Sequence, residues 1–437
     1  VGIVYGTARL NLHPFLALLA AAYGFGMLAG LPLQETVAAT VEGFGRTLGY
    51  IGVVIAAGAI IGAALERSGG ALAVAQSLLR RVGEARSTLA LGLTGALVSI
   101  PVFCDSGFII LAPLARSLAA KARQSLAAFA VVLSMGLYTT HVFVPPTPGP
   151  IAAAGELGAP LGLVIVLGVA CSVPVLIATY AFARFMGRRI YVDPGVEADV
   201  PEGPEPQGAA SPMPMPWRAV LPITVPVGLI ALRSIAELPA GPLGEGAVAE
   251  ALAFVGHPNT ALLLGVLVVY LTMRNRLAEG FSDLVAAALR QAGPILLITG
   301  AGGAFGRVLQ TTALGPTLEE ALGGLDLGAL SIVLPFVLAA ALKTALGSST
   351  VAIITTASIM TPLLVPLGLA DAMGPVLVTL AVGAGSMTVS HANDSYFWVV
   401  SQFSGMSVSE AYRLQTGGSA VAGATGLAAV LVLSLLL

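Results

Sequence analysis

Apolar segments of about the length of a membrane-crossing helix run through most of this chain, and its polar positions are gathered into a few short clusters. Residues 161–186, 261–273 and 417–437 are nearly continuous apolar sequence, and a spanning helix needs roughly 20 residues to cross about 30 Å of hydrocarbon. The period-two alternation of barrel strands is absent, so the pattern predicts helices throughout. The polar interruptions fall at matching places in two halves. Pro101-Val102-Phe103-Cys104-Asp105-Ser106-Gly107 and the run from His141 to Pro150 lie in the first, Gly347-Ser348-Ser349-Thr350 and Ser390-His391-Ala392-Asn393-Asp394 in the second. Asp105 and Ser348 are 243 residues apart, His141 and His391 are 250 apart, and Gly58/Gly62 recur as Gly302/Gly306 at 244. The chain reads as a duplicated unit. Apolar segments broken by Gly, Pro and polar residues at corresponding positions of two halves point to the midplane binding site of a secondary transporter.

Composition narrows the picture. Of 437 residues, 57% are hydrophobic and only 10% charged, and the mean hydropathy is +0.93. Soluble domains carry about 25% charged residues, so this inventory builds a polytopic membrane protein. A net charge of −2 without a basic stripe excludes nucleic acid as a partner. Cys104 and Cys171 show neither metal-ligand spacing nor a disulfide framework, so no metal or cofactor is expected and Cys171 reads as core.

Lys and Arg mark cytoplasmic loops and allow the chain to be threaded. Arg67, Arg80, Arg81 and Arg86 precede the Asp105 segment, and Arg116, Lys121 and Arg123 follow it. The 29 residues from 87 to 115 are too few for two crossings. A re-entrant helical hairpin entering from the cytoplasm and turning near Asp105 is the economical solution. In the second half the flanks are acidic, with Glu319, Glu320 and Asp326 on one side and Asp371 on the other. Residues 329–362, interrupted at Gly347-Ser348-Ser349, then form a hairpin entering from outside. The expected fold is all-α, with two inverted repeats, each holding a re-entrant hairpin and a broken transmembrane helix. The first repeat is residues 1–191, the Pro-rich acidic stretch 192–216 is a cytoplasmic linker, and 217–437 is the second repeat. Residues 217–236 and 261–273 are expected to span outward and back. Residues 34–47 and 277–290 read as equivalent interfacial amphipathic helices. Only one span, 12–31, precedes the first of these, so a further N-terminal helix is expected, with residues 1–10 as its end.

A lone carboxylate at a hairpin tip is expensive in a membrane unless it meets a partner, a cation or water, which singles out Asp105 as a proton carrier. A plain helix cap is its bland alternative. His141 and His391 sit where their helices break, and each either shares in proton movement and substrate binding or holds the broken backbone together. Ser348, Ser349 and Thr350 offer hydroxyls and free amides at a helical start, which attracts a carboxylate. Asn393 and Asp394 offer oxygens to a cation or hydrogen bonds to a substrate, with capping as the alternative for Asn393. Lys343, one turn before Gly347, either neutralises a substrate carboxylate or pairs with an acid such as Asp105 or Asp394. Glu66 with Arg67 reads as a solvated or interfacial pair, and Arg307 as a cation reaching out of its helix.

At these motifs the chain resembles the gluconate permease (GntP-type) family of the ion transporter superfamily. The resemblance rests on residues 11–19, 103–108, 140–150, 347–352 and 390–398. It implies proton-coupled uptake of gluconate and related small hydroxy- or amino-carboxylates across the bacterial inner membrane, with a mobile transport domain in a homodimer. One departure stands out: members commonly carry a second histidine in the Pro-Pro-His-Pro-Gly-Pro element, and Thr147 replaces it here. The leading expectation is a proton symporter whose substrate carboxylate lies near Ser348 to Thr350 and whose hydroxyls face His141, Asn393 and His391. Protonation of Asp105, His141 or Asp394 would drive the loaded state. Sodium coupling, or a D-serine or glycerate substrate, is the alternative. An intramembrane enzyme is less favoured, because no clustered nucleophile and base appears.

Overall fold

The computed structural model describes residues 12–83, 86–194, 214–236, 246–277, 280–312 and 328–437. All the regular structure there is helical. Among the described residues five helices are long and apolar enough to span a membrane, or six if one pair bent by 68° counts as a span. The expected additional N-terminal segment, most of the linker and the Glu319 to Asp326 flank lie outside the described residues.

The first half runs α1 (Pro14–Leu28), α2 (Leu33–Arg67), α3 (Gly70–Val82), α4 (Ser87–Val98), α5 (Cys104–Ala122), α6 (Leu126–Phe143), α7 (Pro148–Leu157) and α8 (Leu161–Gly187). The second half runs α9 (Pro216–Ala236), α10 (Ala247–Val255), α11 (Pro258–Met273), α12 (Phe281–Thr311), α13 (Val333–Leu346), α14 (Ser349–Met360), α15 (Gly374–Met387), α16 (Ser395–Ser404), α17 (Val408–Ala411) and α18 (Gly417–Leu436). A π-helical turn, Tyr412–Thr416, joins the last two.

The hairpins α4–α5 and α13–α14 and the broken helices α6–α7 and α15–α16 occupy the places the polar interruptions mark. Two expected elements do not form. Residues 34–47 and 277–290 are not separate interfacial helices. Residues 34–47 belong to α2, and 281–290 open α12, continuous helices of 35 and 31 residues. No residue between the polar and the apolar part of α2 forbids helical φ and ψ, so the helical ladder continues. In α12, Pro294 lies inside the helix without ending it.

Packing between the halves is reciprocal. α2 and α12 pack along each other, α1 packs on α12, and α11 packs on α2. Likewise α14 lies against α7, and α5 against α16, so each hairpin's returning arm meets the other half's broken helix. Small residues make these approaches possible, as between helices in lipid. A side chain on Gly43 of α2 would overlap the Gly303 carbonyl of α12. The matched pair His13-Pro14 and His257-Pro258 starts α1 and α11 in the same way. In each, the histidine Nδ1 accepts the backbone N–H two residues on, at 3.4 and 3.3 Å, and proline takes the first helical position.

Candidate functional site

The first hairpin turns through Ser99 to Phe103, with the Ser99 hydroxyl donating to the Val102 carbonyl at 3.1 Å. Phe103, not Asp105, holds the cap position of α5, and Asp105 sits in the first helical turn. A carboxylate there faces the positive end of the helix. Its Oδ1 has no hydrogen-bond partner although it is shielded from solvent, and Oδ2 lies 3.7 Å from the Cys104 sulfur. The neighbouring Ser106 interacts with Glu66, so Glu66 is half-buried against the tip and not simply solvated.

The second hairpin turns at Gly347, whose φ of 78° is left-handed backbone that suits glycine. A Cβ there would also overlap the Asn393 carbonyl, so this turn lies directly on the break of the second broken helix. Ser348 caps α14, its hydroxyl accepting the Val351 N–H at 3.3 Å. The N–H groups of Ser349 and Thr350 belong to the first turn, which has no acceptors within its own helix.

Lys343 is completely buried, and of the alternatives open from sequence the structure selects Asp394 as its partner. Its Nζ lies 2.6 Å from Asp394 Oδ2 and donates to the Gly347 carbonyl at 2.6 Å. Asp394 also accepts the Ser390 hydroxyl at 2.5 Å and, as the cap of α16, the Tyr396 N–H at 3.1 Å. A buried ion pair holds only when such additional bonds satisfy both ions. The pair therefore pins the second hairpin to the second broken helix.

In the first broken helix α6 ends at Phe143 and α7 restarts at Pro148, across a cis Pro145–Pro146 peptide. His141 is buried, its Nδ1 has no partner, and its ring lies 6.0 Å from that of Phe103 at the tip of the first hairpin. Thr147 is buried and donates to the Val144 carbonyl at 2.9 Å, closing the break internally. In the second break, Nε2 of His391 is buried without a partner. Asn393 is exposed and donates to the Thr344 carbonyl of the hairpin at 2.6 Å.

Two tips and two breaks thus converge. Asp105 interacts electrostatically with Asp394 and Lys343, and His141 does so with the same two residues. Beneath them lie Tyr138 and Tyr396, ring centroids 5.2 Å apart. The Tyr138 ring faces Lys343 at 5.9 Å, and its hydroxyl interacts with Ser349 and donates to the Ser386 carbonyl at 3.3 Å. Tyr138 carried no signal in the sequence beyond lying in an apolar run, and Tyr396 only its place in the 390–398 motif. The π-helical turn is also new. Thr416 donates to the Ser390 carbonyl at 2.5 Å and Ser419 accepts the Ser390 N–H at 2.8 Å, so the last helix supplies the bonds the break lacks. Elsewhere, Arg307 does not simply reach into solvent: it pairs with Glu42 at 3.0 Å, tying α12 to α2.

Comparison with known proteins agrees with this architecture. The family model for GntP family permeases matches residues 1–436. A gluconate permease of Pseudomonas aeruginosa is 35% identical over 100% of this chain and 96% of its own. A low-affinity gluconate transporter of Escherichia coli is 32% identical over 97% of this chain and 94% of its own. Among solved structures, the YdaH transporter of Alcanivorax borkumensis aligns with a TM-score of 0.66 at 16% identity, covering 97% of this chain and 98% of that one. MtrF of Neisseria gonorrhoeae, described as one of a class of antimetabolite efflux pumps, aligns at 0.68 and 16% identity over 98% and 96%.

Proposed function

Because this chain belongs to the GntP family of permeases, we propose that it imports gluconate or a related small hydroxy-carboxylate together with protons across the bacterial inner membrane. The observation that carries this reading is the convergence of both hairpin tips and both helix breaks on one cluster of Asp105, His141, Lys343 and Asp394. A substrate carboxylate fits the start of α14, where the amides of Ser349 and Thr350 and the helix dipole favour an anion. His141, His391 and Asn393 line the approach for its hydroxyls.

Lys343 already has an anionic partner, so in this account it holds the site together and contributes positive potential, while the amides of Ser349 and Thr350 and the Ser349 hydroxyl make the direct contact. Asp394 is engaged by Lys343, Ser390 and the Tyr396 amide. That leaves Asp105, with its unpartnered oxygen, as the coupling carboxylate and argues against a cation held by Asn393 and Asp394. Alternating access moves the two hairpins and broken helices as a unit along the long helices α2 and α12, in an elevator-type motion within a homodimer. The reciprocal packing of the halves supports their being inverted repeats.

Two experiments test this. Ser349→Val should weaken gluconate binding by about tenfold or more, because a hydrogen bond to a charged group is worth roughly 1.5–3 kcal/mol, while folded yield stays unchanged. Equal affinity for a panel of sugar acids in this variant and the wild type would move the anion site elsewhere. For topology, cysteines at Gln124 and Ala372, both exposed, should label from opposite faces of the membrane. Labelling from one face would rule out inverted repeats.

A further inference from the structure

Glu156 is a second buried carboxylate, away from the tip cluster, and no step above uses it. It sits in the last turn of α7, only 9% exposed, and its side chain enters the contact of α7 with α2 and α12. The Thr47 hydroxyl of α2 donates to Oε2 at 3.2 Å. Oε1 has no partner and lies against the bare Cα of Gly306 on α12, where a Cβ would overlap it. Arg46 on α2 is the charged group that acts on it among the described residues, and its side chain is exposed. Arg307, next to Gly306, pairs with Glu42 through Nη2 while its Nε is buried without a partner, and Tyr50 of α2 borders the neighbouring Gly155. The helices α14 and α15, also packed on α7, carry no ionisable side chain, and those of α6 and α8 do not act on Glu156. An ionised carboxylate with one oxygen buried and without a donor is costly to keep, whereas a neutral one is accommodated by the single hydroxyl bond.

We propose that Glu156 is a proton-binding site at the contact between α7 and the long helices, separate from the tip cluster, whose charge state sets how closely α7 packs against α12. Neutral, it lets α7 lie on the glycine face. Ionised by loss of its proton to solvent, it must draw in water or a donor, which loosens that face. This deepens the transport reading and rests on it for the consequence, since α7 belongs to the unit proposed to move. Proton binding itself is measurable without transport.

The test is infrared difference spectroscopy of the purified full-length protein between acid and alkaline pH, following the carboxylic C=O stretch. The wild type should show a band that disappears on deprotonation, that is missing in Glu156→Gln and that is kept in Asp105→Asn. Thr47→Val, which removes a bond stronger to the ionised form than to the neutral one, should keep the band and bind its proton up to about tenfold more tightly. If Glu156→Gln folds poorly, the Thr47→Val titration decides. An unchanged band in Glu156→Gln, or identical titration in Thr47→Val, would overturn the site. Loss of the band with wild-type pH dependence of uptake would overturn its link to movement. Absence of any pH-dependent uptake in the wild type, with the Glu156 band intact, would instead strike at the transport reading.

Discussion

Asp105→Asn should abolish accumulation of substrate driven by an inward proton gradient while leaving counterflow of labelled substrate in place. The amide keeps the size and hydrogen-bonding reach of the carboxylate but can neither lose nor gain the coupling proton. Asp105 combines a first-turn position, which favours its charge, with an unpartnered oxygen and the nearby charges of Asp394 and Lys343. Its two protonation states are thus distinguished by the other residues of the site. The variant should insert and purify normally, because Phe103 holds the cap and no hydrogen bond depends on Oδ1. Accumulation at the wild-type level with an unchanged pH profile would place coupling on another residue.

Lys343→Met is expected to be the most destabilising single change at the site. It leaves Asp394 ionised in a buried position, and breaking such a pair costs about 3–5 kcal/mol. The Gly347 carbonyl loses its donor at the same time. Adding Asp394→Asn should recover most of that loss, since the amide still accepts the Tyr396 N–H and removes the stranded charge. Thermal unfolding midpoints of the two variants in detergent measure this directly. A single variant as stable as the wild type would mean that the ion pair does not hold the tip to the break. A double variant no better than the single one would mean that the loss comes from packing and the lost bond to the Gly347 carbonyl, not from the stranded charge.

The breaks were legible in the sequence because Gly, Pro and polar residues are conspicuous inside apolar runs. The turns at Ser99 to Phe103 and Gly347, and the restarts at Pro148 and Ser395, fall where those residues stand. Other features depend on what packs against what. Lys343 could have met Asp105 or Asp394, and only the seating of Gly347 on the Asn393 backbone decides for Asp394. The charged starts of α2 and α12 resemble surface helices because hydropathy falls there, although the backbone has no reason to stop. Glu156 precedes a Gly-Ala-Pro turn and looks like a polar helix end. Its burial follows from α12 presenting Gly306, a distant residue, to its carboxyl group. The repeated His-Pro dipeptide was a readable signal, since His13 and His257 stand at the same 244-residue spacing as the matched glycines.

Uptake of labelled gluconate into proteoliposomes under imposed gradients decides whether protons drive a small hydroxy-carboxylate inward. An inward proton gradient without sodium should drive accumulation above equilibrium, and collapsing it with a protonophore should abolish accumulation, while a sodium gradient at equal pH should drive none. Accumulation under the sodium gradient alone, or uptake indifferent to both gradients, would rule out proton symport.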